Sequence, residues 1–119
     1  MNSFFKIITS AQWEEARITG LIPKCSADID NESVLVNEFK DLAIVCAQYF
    51  QPSDYPIALE FAPDSYAAEL KWVDATEENS WREGHLNIEQ LHADLVLNIY
   101  SFEHTQTDDG SVYSLQGES

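Results

Sequence analysis

The first twenty residues predict a strand followed by a capped helix. Residues 4–8 form a short apolar run with the length of a strand inside a sheet. Thr9 follows as an N-cap whose capping box is completed by Gln12, three residues on. Gly20 supplies a left-handed stop, so the helix is expected to end there.

A second helix is predicted from the N-cap Asn37 to residue 50, after a polar loop and a short apolar run at 34–36. Apolar side chains recur there at i, i+3 and i+4 spacing, which places them on one helix face. Two prolines, at 52 and 56, end the pattern. The face consists of Phe39, Leu42, Ala43, Cys46, Tyr49 and Phe50.

The second half of the chain has mainly the pattern of strands, which predicts an α+β domain with a small split or mixed sheet and two main helices. The domain is expected to span residues 1–103, and the polar, acidic stretch 104–119 is expected to be a flexible tail with a turn at Asp109-Gly110. Strands are predicted at 57–61, 70–73 and 93–102, and short helical pieces at 66–68 and 86–91. In the last strand, Leu95, Leu97 and Ile99 are expected to share one face.

Composition narrows the class of protein. The chain has 119 residues, which suits one domain, and its 45% hydrophobic and 12% aromatic content is too high for a disordered acidic chain. It contains no apolar run of the length of a membrane span, and its first residues do not have the pattern of a signal peptide. Two cysteines without a signal suggest reduced thiols, so we expect a cytoplasmic protein.

The net charge of −15 is the most unusual property of the sequence. It argues against binding to nucleic acid or to anionic lipid, because both recruit Lys and Arg. The last basic residue is Arg82, and seven acidic residues follow it. Such a field speeds encounter with a basic protein partner, as in a decoy for a nucleic-acid-binding protein; the simpler interpretation is that the charge maintains solubility.

Few residues have the pattern of a catalytic or metal site. Glu60 is an acid inside an apolar strand, where an outward-facing side chain is the simplest interpretation. The three histidines, His85, His92 and His104, lack metal-ligand spacing. Cys46 lies on the apolar helix face and is expected to be a buried thiol, whereas Cys25 is in a polar loop beside Lys24 and is the more reactive candidate. We therefore expect no metal site.

The loop at 74–84 offers two further candidates. Its acids Asp74, Glu77, Glu78 and Glu83 form a set of oxygens for a divalent cation, but a solvated loop is the simpler interpretation. Trp81 is an aromatic among polar residues, which suits either a partner-binding surface or an anchor that packs into the core.

Taken in order, the segments resemble a bacterial family known as domain of unknown function 952. Residues 5–16 (FKIITSAQWEEA) are similar to its strand followed by T-x-x-x-W-x-x-A, and 47–50 (AQYF) to its A-x-R-F/Y-F. Residues 57–61 and 70–74 resemble its L-L-x-I-D and L-x-W-E strands, and 86–91 (LNIEQL) resembles P-L-N-L-D-A-V. The resemblance implies a fold related to ADP-ribosyltransferases and RNA 2′-phosphotransferases, with a split pair of small sheets around a nucleotide cleft. In that fold a strand glutamate, here Glu60, orients the ribose or polarises the attacking hydroxyl.

The sequence departs from the family at its histidines. Where members carry G-F-I-H-x-S, this chain has Leu35 at the histidine position, and where they carry F-P-H-x-Y it has Trp81 and Glu83. Leucine transfers no proton and forms no side-chain hydrogen bond. We therefore expect a non-catalytic binding domain with Trp81, Glu83 and His85 at its ligand. The alternative is a transferase that moves ADP-ribose or a 2′-phosphate, with NAD as its possible cofactor and Glu60 and His85 as catalytic residues.

Overall fold

In the residues that the structure describes, seven antiparallel strands form one sheet with a helix on each face. The computed structural model describes residues 3–24, 33–74, 81–107 and 110–118. The strand order is β4-β5-β2-β1-β3-β6-β7, so β4 and β7 are the edges. The α+β prediction with two helices is confirmed. The elements are β1 (Phe4–Thr9), α1 (Ser10–Thr19), β2 (Val34–Asn37), α2 (Leu42–Tyr49), β3 (Pro56–Phe61), β4 (Leu70–Val73), β5 (Glu83–Leu86), β6 (Val96–Thr107) and β7 (Gly110–Glu118).

The sheet has two halves that meet at a narrow junction. Among the described residues, β1 pairs with β2 at one position, Phe5 with Asn37, whereas β1 pairs with β3 along its whole length. Beside the junction, the buried Lys6 donates a hydrogen bond from Nζ to the Leu35 carbonyl at 2.9 Å. One half is therefore β4, β5 and β2, and the other is β1, β3, β6 and β7.

Strand alternation divides the core between the two faces of the sheet. Successive side chains of β1 point to opposite faces, so Phe4 and Ile8 join one cluster while Phe5 and Ile7 join the other. The α1-side cluster contains Phe4, Ile8, Ala16, Ile22, Val34, Val36, Ile57, Leu59, Phe61, Leu86 and Leu91. The α2-side cluster contains Phe5, Ile7, Leu42, Val45, Cys46, Ala58 and Trp81.

The first helix is confirmed with its predicted ends. Thr9 accepts a hydrogen bond from the Gln12 backbone N–H at 3.1 Å, and Gln12 Oε1 accepts one from the Thr9 N–H at 2.9 Å. Gly20 ends the helix with φ 83°, and its N–H bonds the Ala16 carbonyl at 2.7 Å. Both ends depend on contacts within four residues, which is why the sequence predicts them.

The second helix starts later than predicted. Asn37 is not an N-cap but the last residue of β2, where its backbone pairs with both β1 and β5. The chain then makes a 3-10 turn over Phe39–Asp41 before α2 begins. Phe39 therefore lies before the helix and is 52% exposed, and Tyr49, the last residue of α2 and another member of the predicted apolar face, is 64% exposed.

Two further predicted helical pieces are not helices. Residues 63–69 form turns, and residues 87–91 after β5 are irregular. In the second segment, the Leu91 carbonyl accepts from the Ile22 N–H at 2.8 Å and the Ala93 N–H donates to the Gly20 carbonyl at 3.0 Å. The backbone of this segment therefore forms hydrogen bonds with Gly20 and Ile22, at the end of α1 and just after it, and does not form the i to i−4 hydrogen bonds of a helix.

The predicted flexible tail was wrong, because the chain beyond Glu103 continues as a strand. β6 reaches Thr107 and pairs with β7 from Ile99 to Thr107, so the boundary set after residue 103 falls inside β6. The predicted face of the last strand was also wrong, because the β3–β6 register shifts after Glu60. Val96 and Ile99 both pack on the α1-side cluster as a result, and Leu97 is exposed.

Within the ranges that the structure describes, neither helix has the length and apolar content needed to cross a membrane.

Candidate binding cleft

Glu60 lies on the α2 face of the sheet, beside the core and not within it. The neighbouring side chains on β3, Leu59 and Phe61, belong to the α1-side cluster, so alternation turns Glu60 to the other face. Its paired residues are Phe5 on β1 and Asn98 on β6. Glu60 therefore points away from the α1-side cluster, as the outward-facing interpretation predicts, but neighbouring residues on the α2 face leave it half-buried.

Three donors hold the Glu60 carboxylate as an ion. Asn98 Nδ2 and the Tyr100 hydroxyl donate to Oε1 at 2.8 Å and 3.2 Å, and the Ser3 side chain also hydrogen-bonds to the carboxylate. Burial alone would raise the pKa of Glu60, but these three bonds outweigh burial and hold the pKa below its ordinary value of 4.5. Burial, together with the neighbouring Glu60 charge and hydrogen bond, raises the pKa of Tyr100. At neutral pH the pair is thus a carboxylate and a neutral phenol.

Three aromatic rings stand next to this carboxylate. The Phe5 centroid lies 5.5 Å from that of Phe39 and 6.0 Å from that of Tyr100. Phe39 and Tyr100 are 6.1 Å apart with an interplanar angle of 77°. Phe5 is buried, Tyr100 half-buried and Phe39 exposed, so the group runs from the core to the surface.

These residues line a cleft of about 420 Å³, here named the Glu60 cleft. Its charged groups are two carboxylates, Glu38 and Glu60, and one exposed ammonium, Lys40. In the part of the chain that the structure describes, Glu38 Oε1 is buried without a hydrogen-bond partner, and Arg82 Nη1 lies 3.7 Å from it. The lining residues are Ser3, Phe5, Glu38, Phe39, Lys40, Glu60 and Tyr100.

The predicted ligand-binding residues Trp81, Glu83 and His85 lie elsewhere. Trp81 is 7% exposed and packs edge-on against Tyr49 in the α2-side cluster, with a centroid distance of 6.0 Å. This burial confirms the core-anchor interpretation. Its Nε1 atom is buried without a hydrogen-bond partner in the described structure.

Glu83 and His85 contact each other on β5, with His85 Nε2 3.2 Å from Glu83 Oε1. They share the α2 face with Glu60, because Leu86 and the intervening Gly84 face the other side. Strands β2 and β1 lie between, so the distance is three strand spacings, about 14 Å. The two predicted catalytic residues, Glu60 and His85, therefore do not converge on one reacting atom.

The remaining candidates are dispersed. Cys46 is a buried free thiol, as predicted, and burial followed by the Asp54 charge raises its pKa to about 12. His92 pairs through its backbone with Leu21, away from His85. Cys25, Glu77 and Glu78 lie outside the described residues, within which no three His, Cys, Asp or Glu side chains come together as a metal site.

The sequence pointed to Glu60 but missed the aromatic residues around it. The apolar pattern predicts Phe39 on a helix face, whereas it lies in the turn before α2. In the predicted last strand, alternation puts Asn98 and Tyr100 on the face opposite Leu97 and Ile99, and this is the one signal in the sequence that they face Glu60. The pairing of β6 with β3, which brings them together, leaves no mark in a single sequence.

A second cleft, of about 380 Å³, opens beside the start of α1 and serves as a contrast. It contains Trp13, Tyr55 and Phe102 and the carboxylate of Glu14. That carboxylate is contacted by Arg17 Nη1 at 3.3 Å. Tyr55 is 73% exposed and has the left-handed φ of 48°.

Comparison with known proteins identifies the fold and no activity. The crystal structure of protein CC0527 from Caulobacter crescentus matches with a TM-score of 0.75 at 18% identity, covering 95% of this chain and 94% of that one. The solution NMR structure of CC0527 matches with a TM-score of 0.70 at 19% identity, covering 93% and 91%. No protein-family model and no curated protein sequence matches the chain. The likeness establishes a shared fold.

Proposed function

We propose that the protein is a non-catalytic binding domain on an ADP-ribosyltransferase-like scaffold, and that its ligand occupies the Glu60 cleft. The observation that carries the proposal is the Glu60 carboxylate, which three donors hold in one orientation beside three aromatic rings. Ligand sites combine an apolar, aromatic wall with a few fixed polar groups, and this cleft has that combination.

The scaffold assignment is supported by the narrow junction between the two halves of the sheet. A split sheet is what the family resemblance implies. The segments that carried the resemblance at 5–16, 57–61 and 70–74 lie on β1, α1, β3 and β4, which are parts of the same sheet and the helix on it.

The non-catalytic part of the proposal is supported by the groups around Glu60. Within the described residues, neither a histidine nor a cysteine lines the cleft. Leu35, at the family's histidine position, pairs instead with His85 across β2 and β5. A general acid or base must lie within hydrogen-bond reach of the proton that it transfers, and His85, about 14 Å from Glu60 by strand spacing, is too far away to act on the same reacting group as Glu60.

The test is a titration of the full chain, labelled with 15N, against a panel of neutral, anionic and cationic small molecules that includes NAD and ADP-ribose. We expect at least one compound to shift the amides of Phe39, Glu60 and Tyr100 in a saturable way. The same mixtures, assayed for NAD consumption, should show no turnover. Failure of every compound to shift the cleft amides would contradict a binding role for the cleft.

A transferase is the second candidate, and the orientation of Glu60 favours it. An ionised strand glutamate held by Asn98 and Tyr100 is suited to polarise a hydroxyl. NAD consumption by the wild-type protein that disappears in Glu60→Gln would establish this candidate and remove the first. Unchanged consumption in that variant would exclude Glu60 from the chemistry.

An acidic decoy for a basic protein is the third candidate, favoured by the charge of −15. Arg17, Lys24 and Arg82 contact acidic side chains, and Lys6 is buried, so they add little free positive surface. A complex of this kind should weaken steeply between low and high salt. A complex insensitive to salt would argue against the decoy.

A further inference from the structure

We propose that the Glu60 cleft selects an organic cation, and specifically an alkylated ammonium group such as trimethylammonium. The inference rests on the proposed function, because it names the ligand class of the same cleft. It combines three observations: the aromatic wall, the saturation of the carboxylate by donors, and the sign of the charge around both.

The aromatic wall supplies the attraction for a cation. Phe5, Phe39 and Tyr100 contact one another at 5.5 to 6.1 Å with angles of 59° to 77°, so their π faces point in different directions. The face of an aromatic ring carries negative electrostatic potential and attracts a cation within about 6 Å of its centroid. Phe39 is the exposed member of the three, and it lines the cleft.

The state of Glu60 distinguishes an alkylated ammonium from a primary one. A primary ammonium has three N–H donors, so when it leaves water the cleft must supply hydrogen-bond acceptors in place of the lost water molecules. Glu60 already accepts bonds from Asn98, Tyr100 and Ser3, which use most of its acceptor capacity but leave its charge. An alkylated ammonium has little or no need of acceptors, so a charged but largely saturated carboxylate beside aromatic rings suits it better.

The charge at Glu60 disfavours phosphates as the main ligand. Arg82 offsets Glu38, because its Nη1 lies 3.7 Å away, and Lys40 lines the cleft as an exposed ammonium. Glu60, in contrast, is held by the neutral donors Asn98, Tyr100 and Ser3 and keeps its negative charge. The molecule as a whole adds a net charge of −15. The volume of about 420 Å³ is sufficient for a small organic cation with a polar tail.

The second cleft provides an internal contrast. It also has aromatic residues, Trp13 and Tyr55, but its carboxylate is Glu14, which is exposed and contacted by Arg17 at 3.3 Å. Because the positive guanidinium offsets that charge, the second cleft should bind the same cation less tightly.

The experiment compares choline with 3,3-dimethyl-1-butanol, a neutral isostere of the same shape, by amide NMR on the full chain. Choline should shift Phe39, Glu60 and Tyr100, and the isostere should bind there about tenfold or more weakly. Tetramethylammonium should shift the same amides. This comparison uses wild-type protein, so it does not depend on the folding of any variant.

Matched variants then assign the interaction. Glu60→Gln and Phe39→Leu should each weaken choline binding by about 3- to 30-fold, the range expected when one charge or one ring face is lost. Glu15→Gln removes an equal charge from the exposed surface of α1, and Tyr55→Leu removes an aromatic ring from the second cleft. Both control variants should bind choline within about twofold of wild type.

The outcomes separate the two levels of the proposal. Equal binding of choline and its isostere at the cleft amides would overturn the cation inference and leave the binding domain standing. Choline shifts centred on Trp13 and Tyr55 would also overturn it, because the wrong cleft would be occupied. If neither choline nor any other compound of the panel moved the cleft amides, both the inference and the proposed function would fail.

Discussion

Replacing Gly84 with alanine should destabilise the protein, because the new methyl group has no space. Gly84 lies in the middle of β5 and pairs with Val36 on one side and Trp72 on the other. A Cβ atom at this position would lie 2.6 Å from Val36 Cγ2 and 3.1 Å from both Leu70 Cδ1 and Trp72 Cζ3. The first distance is shorter than a real Cβ contact, so a neighbour must move.

Two opposing effects set the magnitude. Alanine in place of glycine within a strand would by itself stabilise the fold by roughly 0.5–1 kcal/mol, because the unfolded chain loses freedom. Overpacking a filled core costs about 1–3 kcal/mol. Val36 is fully buried and β-branched, so it cannot rotate away cheaply. The clash should therefore win, with a net loss of about 1–2 kcal/mol.

Urea unfolding followed by tryptophan fluorescence measures this loss. We expect a lower midpoint with an unchanged m-value, since the unfolded surface stays the same. The double variant Gly84→Ala/Val36→Ala removes the clashing methyl, so its loss should be smaller than the sum of the two single losses by about 1 kcal/mol. A Gly84→Ala protein as stable as wild type, or strict additivity in the double variant, would refute the packing argument.

Three further predictions follow from single residues. Folding lowers the pKa of Glu60, so the ionised carboxylate stabilises the protein above the ordinary pKa of 4.5, and this stabilisation is lost as the pH falls through the lowered value. In urea unfolding, the stability difference between wild type and Glu60→Gln should therefore shrink below pH 4.5. A difference that stays constant down to pH 3 would contradict this prediction. The variant Cys25→Ser leaves Cys46 as the one thiol of the chain. Because burial raises the pKa of Cys46 to about 12, this thiol should resist Ellman's reagent at pH 8 in the folded protein and react in urea. Rapid reaction without urea would place the thiol at the surface. Gly20→Ala should lower the free energy of unfolding in urea by about 1 kcal/mol, because φ at this position is 83°. Gly20→Asn should lower it less, because asparagine adopts the left-handed conformation more readily. Equal stability of wild type and both variants would exclude the left-handed cap.

The candidate site was only partly predictable from the sequence. Glu60 stands out because an acid interrupts an apolar strand, and that signal is local. Its partners Phe5 and Tyr100 come from strands that are 55 and 40 residues away along the chain, and the sheet register alone brings them together. The predicted grouping of Trp81 with Glu83 relied on their positions in the family's F-P-H-x-Y motif, but the two side chains lie apart, because Trp81 turns into the core while Glu83 begins β5.

Features that depend on neighbours within about four residues can be predicted from the sequence alone. These are the capping box of Thr9 and Gln12, the left-handed stop at Gly20, and strands β1, β3 and β4. Other features depend on the tertiary structure, because backbone from distant parts of the chain competes with the local preference of the residues. Asn37 has the side chain of a helix cap, but its backbone pairs with two strands and so extends β2. The polar residues after Glu103 have no apolar pattern of their own, yet they form a strand because β6 and β7 satisfy each other's backbone groups. A single sequence shows the local propensity of each segment directly. It does not show which strands pair with one another, and the register of the sheet depends on that pairing.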